Sequence, residues 1–323
     1  MKTRLTTLVA FTALAVTTTA AHSQTYPTRP ITIIVPAAPG GVSDSLARAI
    51  GQRLSEVWGQ QVIIENRGGA NHQIGAAQVA KAPRDGHMLM LGAETIFVIN
   101  PSLYSKLPYA VKDFAPITGL VRANQALLAS KNFAPNSVSE LIVLAKQKPG
   151  TISYGTSGVG SASHVNVALL ESMGGIKLIP VHYRGMGPAL NDLVGGHIQM
   201  ISVAVSSALP PWRNGLVKML GIGSPQRMPG IPEVPTVAEG GLPGYEAVTW
   251  FGLFTTAGTP REVVLKINAE VARLFDDPTF REKFVVPLMY EVMTGPPENF
   301  EEFVNAEAVR WGKVLRDANL RID

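Results

Sequence analysis

A chain of 323 residues that is 46% hydrophobic and 16% charged is too apolar to be disordered and long enough for two lobes rather than one core. Its formal net charge of +4 comes from scattered Lys and Arg, with no basic run able to track a phosphate backbone, which argues against a nucleic-acid partner. The absence of cysteine excludes disulfides, thiolate metal sites and a lipoprotein anchor.

The N-terminus reads as a secretory signal. Lys2 and Arg4 form a basic start, and Leu5 to Val16 is an apolar stretch too short to span a bilayer. Ala21-His22-Ser23 fits a small-x-small cleavage pattern, giving a signal of residues 1–23 and Gln24 as the first mature residue. The alternative is a buried N-terminal helix. Loss of Lys2 and Arg4 takes the net charge from +4 to +2. Downstream, no segment has roughly 18 uninterrupted apolar residues, so a soluble periplasmic protein is expected.

Strands and helices then alternate. Ile31 to Val35 is a β-branched run, followed by a Pro/Gly turn and a helix that Ser43 can cap, with Leu46, Ile50, Leu54 and Val57 at helical spacing. Gln61 to Glu65 is a strand. A Gly-rich loop, Arg67 to Gly75, leads into a second helix and a strand at Met88 to Leu91. Ala126 to Ser130 predicts a strand, Ser137 caps a helix through Lys146, and Ile152 to Gly155 is a strand. The loop Gly158 to Ser163 opens the helix His164 to Met173, and Leu178 to His182 is the next strand. Pro188 suits a first helical turn and Gly195-Gly196 ends that helix. Strands follow at Ile198 to Val203 and Val217 to Ile222, then a Pro/Gly-rich stretch and an apolar strand at Ala247 to Thr255. Pro260 starts a helix with Val264, Ile267, Val271 and Leu274 on one face, and a last helix runs from Glu298 to Ala318. Repeated βαβ units predict an α/β fold of mainly parallel sheets flanked by helices. Phe114 to Ala126 and Ser224 to Tyr245 read as crossings between lobes. The expected lobes are residues 24–122 with 248–323, and residues 123–247.

Three strand-to-helix turns are rich in small residues: Pro36 to Asp44, Gly155 to Ser161, and Arg184 to Pro188. Glycine lets backbone N–H groups approach a ligand, and a helix N-terminus supplies unpaired donors and partial positive charge. Together they make an anion site without Lys or Arg. Thr156, Ser157 and Ser161 add hydroxyls. Such turns lie beyond the carboxyl ends of strands, where ligands bind in open parallel sheets.

Enzyme motifs fail. Gly158-Val159-Gly160 lacks the third glycine of a dinucleotide fingerprint, which falls at Ser163, and Gly155 to Val159 lacks the last glycine of a nucleophile elbow. The six histidines show no metal-ligand spacing. No catalytic residue, metal or cofactor is assigned.

With these turns in hand, the chain resembles the Bug-type solute receptors of tripartite tricarboxylate transporters over nearly all of its mature length. The resemblance is carried by Tyr26-Pro27-Thr28-Arg29-Pro30-Ile31, Pro39-Gly40-Gly41 with Asp44, Glu65-Asn66-Arg67, Ala80 to Gly86, and Asn100-Pro101-Ser102-Leu103-Tyr104. It continues through Tyr154 to Gly158, Tyr183-Arg184-Gly185, Ser207-Ala208-Leu209-Pro210, Trp250 to Phe254 and Ala257-Gly258-Thr259-Pro260. It implies a two-lobe periplasmic-binding-protein (flytrap) fold with the ligand in the cleft. One ligand carboxylate would be held by the first turn (Ala37, Ala38, Gly40, Gly41, Ser43, Asp44) and by Thr156, Ser157 and Ser161 from the other lobe. The closed form, expected to be a monomer, would deliver the ligand to a membrane permease of large and small subunits.

Departures from the family pattern bear on the ligand. Ala37 stands where an aromatic is frequent, Gly68-Gly69-Ala70-Asn71-His72-Gln73 replaces a Pro-Gly-Ala-Gly-Gly-Asn loop, and Ser202-Val203 replaces Phe-Asp. The first and third point to a roomier pocket, and the third removes an acid that could pair with a ligand ammonium. A bulky, even aromatic, carboxylate is expected, with His72 or Thr95 near its far end. Asp44 has two readings: it orients the first turn, or it meets the ligand through water or as a protonated acid. Two other functions compete with transport: presentation of the carboxylate to a sensor kinase, and secreted hydrolysis, which lacks a nucleophile–base pair.

Overall fold

The structure, a computed structural model, describes residues 26–317; the expected signal, residues 1–23, lies outside the described residues. The first unit runs β1 (Ile31–Val35), α1 (Val42–Trp58), β2 (Val62–Asn66), α2 (Gln73–Ala80) and β3 (Met88–Ala93), with β1 parallel to both β2 and β3. A short π-helical turn (Thr95–Ile99) and α3 (Asn100–Leu103) follow. Then comes β4 (Phe114–Ser130), the longest strand. The second unit runs α4 (Val138–Gln147), β5 (Ser153–Thr156), α5 (Ala162–Gly174), β6 (Ile179–His182), α6 (Met186–Val194), β7 (Met200–Ala204), α7 (Val205–Arg213) and β8 (Val217–Ile222). There β5 is parallel to β6 and β7. The chain returns through β9 (Val248–Thr256) to α8 (Arg261–Asp276), α9 (Pro278–Phe280), β10 (Glu291–Val292) and α10 (Pro297–Asp317).

The parallel strands are those the βαβ pattern predicts; the crossing strands are antiparallel to them, so both sheets are mixed. β4 belongs to both. Residues Phe114 to Asn124 pair with β9, whereas Gln125 to Ser130 pair with β7 and β8. The two crossings are therefore hydrogen-bonded ribbon: Gln125 N–H donates to Ala247 O and Gly223 N–H to Gln125 O, at 3.2 and 2.7 Å.

Periodicity decides which helix faces are buried. Leu46, Ile50 and Leu54 of α1 and Val264, Ile267, Val271 and Leu274 of α8 pack in one core against β1 and β3. Each such side chain stabilises the fold by about 1.5–3 kcal/mol. Val57, expected on the same stripe, is 42% exposed, and the next residue, Trp58, packs against the core in its place. Aromatic side chains fill the other side of the same sheet, where Trp250 meets Phe97, Phe300 and Phe303. Gly252 permits this: a Cβ there would overlap the Phe300 ring.

Two local expectations change, and one helix appears in a segment with no predicted element. The first residue of α1 is Val42, so Gly41 occupies the cap position and Ser43 caps nothing. The stretch from Phe114 to Ala126, read as a connection, is strand continuous with the run to Ser130. Helix α7 forms over a segment whose Pro210-Pro211 pair signals a break. It is short, and it ends within a turn of the prolines, with Asn214 N–H and Leu216 N–H donating to their carbonyls at 3.1 and 2.9 Å.

Candidate ligand-binding cleft

Between the two sheets lies a cleft of about 770 Å³. One wall is the turn before α1 (Pro36 to Ser43) with the β2–α2 loop. The opposite wall is the turn before α5 (Ser157, Ser161, Ala162, Ser163) with the start of α6 (Arg184, Gly185, Met186). The floor is the crossing ribbon, with Ala123, Gln125, Thr249 and Phe251.

Two helix N-termini thus face one cavity from opposite lobes. The first-turn N–H groups of α1 and α5 have no acceptor within their own helices, so both ends offer donors and partial positive charge. In the second lobe the serines form a directed chain. Ser161 Oγ donates to Gly158 O at 2.7 Å and accepts from His164 N–H at 3.4 Å. Ser163 Oγ lies 3.0 Å from Ser161 Oγ, accepts from Ser157 N–H at 3.0 Å, and is 3.2 Å from Ser157 Oγ. Ser161 spends its hydrogen on a carbonyl and Ser163 can spend its own on Ser161, so Ser157 is the donor in its contact with Ser163 and the chain ends at the cleft wall.

Of the expected site residues, Ala37, Ala38, Gly41, Ser43, His72, Ser157, Ser161, Ser202 and Val203 line this cleft, and Gly40, Asp44, Thr95 and Thr156 do not. Gly40 faces an adjoining 190 Å³ pocket with Phe284 and Tyr290. Asp44 is 5% exposed and turned into the protein, accepting from Gly40 N–H at 2.9 Å and Arg48 Nε at 3.1 Å. Burial raises its pKa, but the hydrogen bonds from Arg48, Gly40 and Asn66 and the Arg48 charge outweigh that, and the net shift is downward. Asp44, bonded internally, braces the turn, which is the geometry of the first reading. Thr156 is fully buried and holds the second turn by bonding to His182 Nδ1 at 2.8 Å and to Gly158 N–H at 3.2 Å. Thr95 is buried in the π-helical turn, whose side chains belong to the core.

The departing loop is unusual in backbone. Ala70, Asn71 and His72 all have positive φ, at 44°, 50° and 72°. Such angles cost little for glycine and more for other residues. Side chains hold them. Asn71 Nδ2 donates to Asn100 Oδ1 at 2.8 Å, Asn100 Nδ2 returns a bond to Asn71 O at 2.8 Å, and His72 Nδ1 bonds Pro36 O. A carbonyl only accepts, so His72 carries its hydrogen on Nδ1 and leaves Nε2 as an acceptor. Burial pushes the His72 pKa down, keeping it neutral.

The sequence reading did not assign Asn71, Gln125, Ser163, Arg184, Met186, Thr249 or Phe251 to the site. Arg184 and Met186 could have been found, since their turn was one of the three rich in small residues. Arg184 alone among the lining residues carries a formal charge, and no ion pair engages it among the described residues. No acidic side chain lines the cleft.

A cleft between two α/β lobes, walled by paired helix N-termini and floored by the strands that join them, defines a solute-binding protein of the flytrap type. The family of tripartite tricarboxylate transporter receptors (TctC) matches residues 46–320, and the chain belongs to it. It is 37% identical over 313 residues, covering 95% of this chain and 93% of the relative, to a "UPF0065 protein in tcbD-tcbE intergenic region" of Pseudomonas sp. (strain P51). Among solved structures it is similar to R. palustris Rpa4515 with adipate, at TM-score 0.86 and 34% identity, covering 92% of this chain and all of that one. It is also similar to the periplasmic binding protein BugD, at TM-score 0.83 and 32% identity, with the same coverage of each chain. Membership makes this chain a receptor rather than an enzyme, as its motifs led us to expect.

Proposed function

We propose that this receptor works in the periplasm, captures a small organic carboxylate in the cleft, and hands it to a permease of large and small membrane subunits. The observation that carries the reading is the pairing of the α1 and α5 N-termini across one cavity lined by Ser157 and Ser161. Arg184 adds charge of the right sign, and the absence of a lining acid leaves a ligand ammonium without a partner. The adipate in Rpa4515 is a carboxylate in a related fold. In this reading residues 24–122 with 248–323 form one lobe, residues 123–247 the other, and the monomer closes on its ligand.

The cleft volume of about 770 Å³ lies toward the upper end of small-molecule sites, which run about 300–1,000 Å³. Ala37 and Ser202-Val203 supply that room, so the preferred cargo is a bulky carboxylate, aromatic acids included. Thermal unfolding against mono-, di- and tricarboxylates, aromatic acids and amino acids tests this. A ligand at about 100 times its Kd raises stability by about 2.7 kcal/mol. A shift with carboxylates and none with amino acids supports the reading; no shift with any carboxylate, in folded protein free of carried-over ligand, removes it.

A further inference from the structure

We infer that the floor of the cleft carries a fixed hydrogen-bond acceptor, the Gln125 amide oxygen, which selects carboxylates that also bear a hydroxyl. The inference deepens the carboxylate reading and rests on it.

Gln125 sits where β4 passes from one sheet to the other, 6% exposed and lining the cleft. Its Nε2 donates to Ala123 O at 3.1 Å and to Thr249 Oγ1 at 3.2 Å. Ala123 O can only accept, so the amide cannot be turned over without setting two acceptors face to face. Thr249 Oγ1, having accepted from Gln125, passes its own hydrogen to Glu94 Oε1 at 3.1 Å. Glu94 is 2% exposed and anchors the chain from beneath the floor. Both amide hydrogens of Gln125 are therefore committed. No protein donor reaches its Oε1 among the described residues, and the polarity of the floor is anchored at Glu94, which does not line the cleft.

The walls and the floor then make opposite demands. The helix N-termini and Arg184 ask for an anion, whereas Gln125 Oε1 repels one and asks for a donor. An ammonium could donate, but it would enter a cavity holding Arg184 and no carboxylate. A hydroxyl meets the demand without added charge. A ligand that closes over Oε1 without a donor leaves a desolvated acceptor unpaired, which costs about ten-fold or more in affinity.

The test is calorimetric titration of the purified protein with matched acids: succinate and malate, glutarate and 2-hydroxyglutarate, benzoate and its 3- and 4-hydroxy forms. The hydroxylated member of a binding pair should bind about ten-fold tighter or better. In Gln125→Met, of equal length but unable to accept, that ratio should fall toward one. Thr249→Val removes the anchor that holds the amide and should also shrink the ratio, providing a second variant should the first not fold. Equal binding within every pair overturns the inference and leaves the carboxylate reading standing. A ratio that survives in Gln125→Met also overturns it and moves the acceptor to His72 Nε2. Failure of every acid to bind overturns the carboxylate reading, and this inference with it.

Discussion

Asn71 Nδ2, in the β2–α2 loop of the first lobe, donates to the carbonyl of Gly160 in the second lobe at 3.1 Å. The donor residue has φ of 50°, so a strained backbone presents the one amide that reaches across the cleft mouth to that turn. Two substitutions separate the strain from the bond. Asn71→Gly removes the strain together with the bonds to Gly160 and to buried Asn100, and should weaken ligand binding about five-fold, the relief of strain offsetting part of the stability lost at Asn100. Asn71→Ala removes the bonds and keeps the strain, and should weaken binding equally while lowering stability by about 1 kcal/mol more. Titration of a bound carboxylate and thermal melts read the two effects, and equal melting of both variants would contradict the assignment of strain.

Ala37 lines the cleft where a larger side chain would project into it. Ala37→Phe should therefore penalise large ligands more than small ones. A bulky acid should lose about ten-fold or more, the equivalent of overpacking by roughly 1–3 kcal/mol, and a short dicarboxylate about two-fold or less. Equal losses measured by titration would show that the extra volume at this wall is not used by the ligand.

Glu94 makes stability pH-dependent. Burial raises its pKa from 4.5 to about 8; Glu307 adds to the rise, while the Thr249 and Trp250 hydrogen bonds and Arg310 oppose it. The folded state then holds a proton that the unfolded chain releases above 4.5, so this contribution is full below 4.5 and is lost as pH rises toward about 8. The slope across that window approaches about 1.4 kcal/mol per pH unit for a single group. Glu94→Gln, neutral throughout, should flatten it, and the Tm gap between variant and parent should widen in the variant's favour from pH 5 to pH 8. A constant gap would mean that Glu94 titrates normally.

Asp44→Asn should behave in the opposite sense. Its pKa is lowered from 3.8 in the folded state, so its contribution is present above 3.8 and is lost as pH falls below that value. Arg48 is half exposed, which limits the ion pair; an Asn oxygen can still accept from Gly40 N–H, so the loss, about 1 kcal/mol at neutral pH, is that of the charge that strengthens this bond and the one to Arg48. Ligand affinity should fall modestly because the first turn loses its brace. Melts at pH 7 and pH 3 that differ from the parent by the same amount would argue against an ionised Asp44.

The helices that face one core were legible because their chemistry is periodic: Leu46, Ile50 and Leu54, and Val264, Ile267 and Val271, announce which side is buried. The turns that wall the cleft were legible as candidates because small residues between a strand and a helix let backbone N–H groups approach a ligand closely. What escaped was convergence. Gln125, Thr249 and Glu94 lie far apart in sequence and meet only because β4 and β9 cross between the lobes side by side. Helix α7 escaped for the opposite reason, since Pro210 and Pro211 give a strong local signal that the packing of Ala208 and Leu209 overrides. Thr156 shows the limit of reading hydroxyls as ligands, because its own is spent on His182 and the Gly158 backbone, while Thr95 is buried away from the cleft.

The shared strand β4 also bears on how the molecule comes apart. Its upstream half is an inner rung of one ladder and its downstream half an inner rung of the other, with β9 running alongside through Asn124. Fraying either lobe strips partners from a strand that the other lobe needs, so damage on one side is transmitted to the other. A receptor wired this way should denature in a single step, its two halves too interdependent to survive alone, even though the closure proposed for it would have them swing as separate bodies.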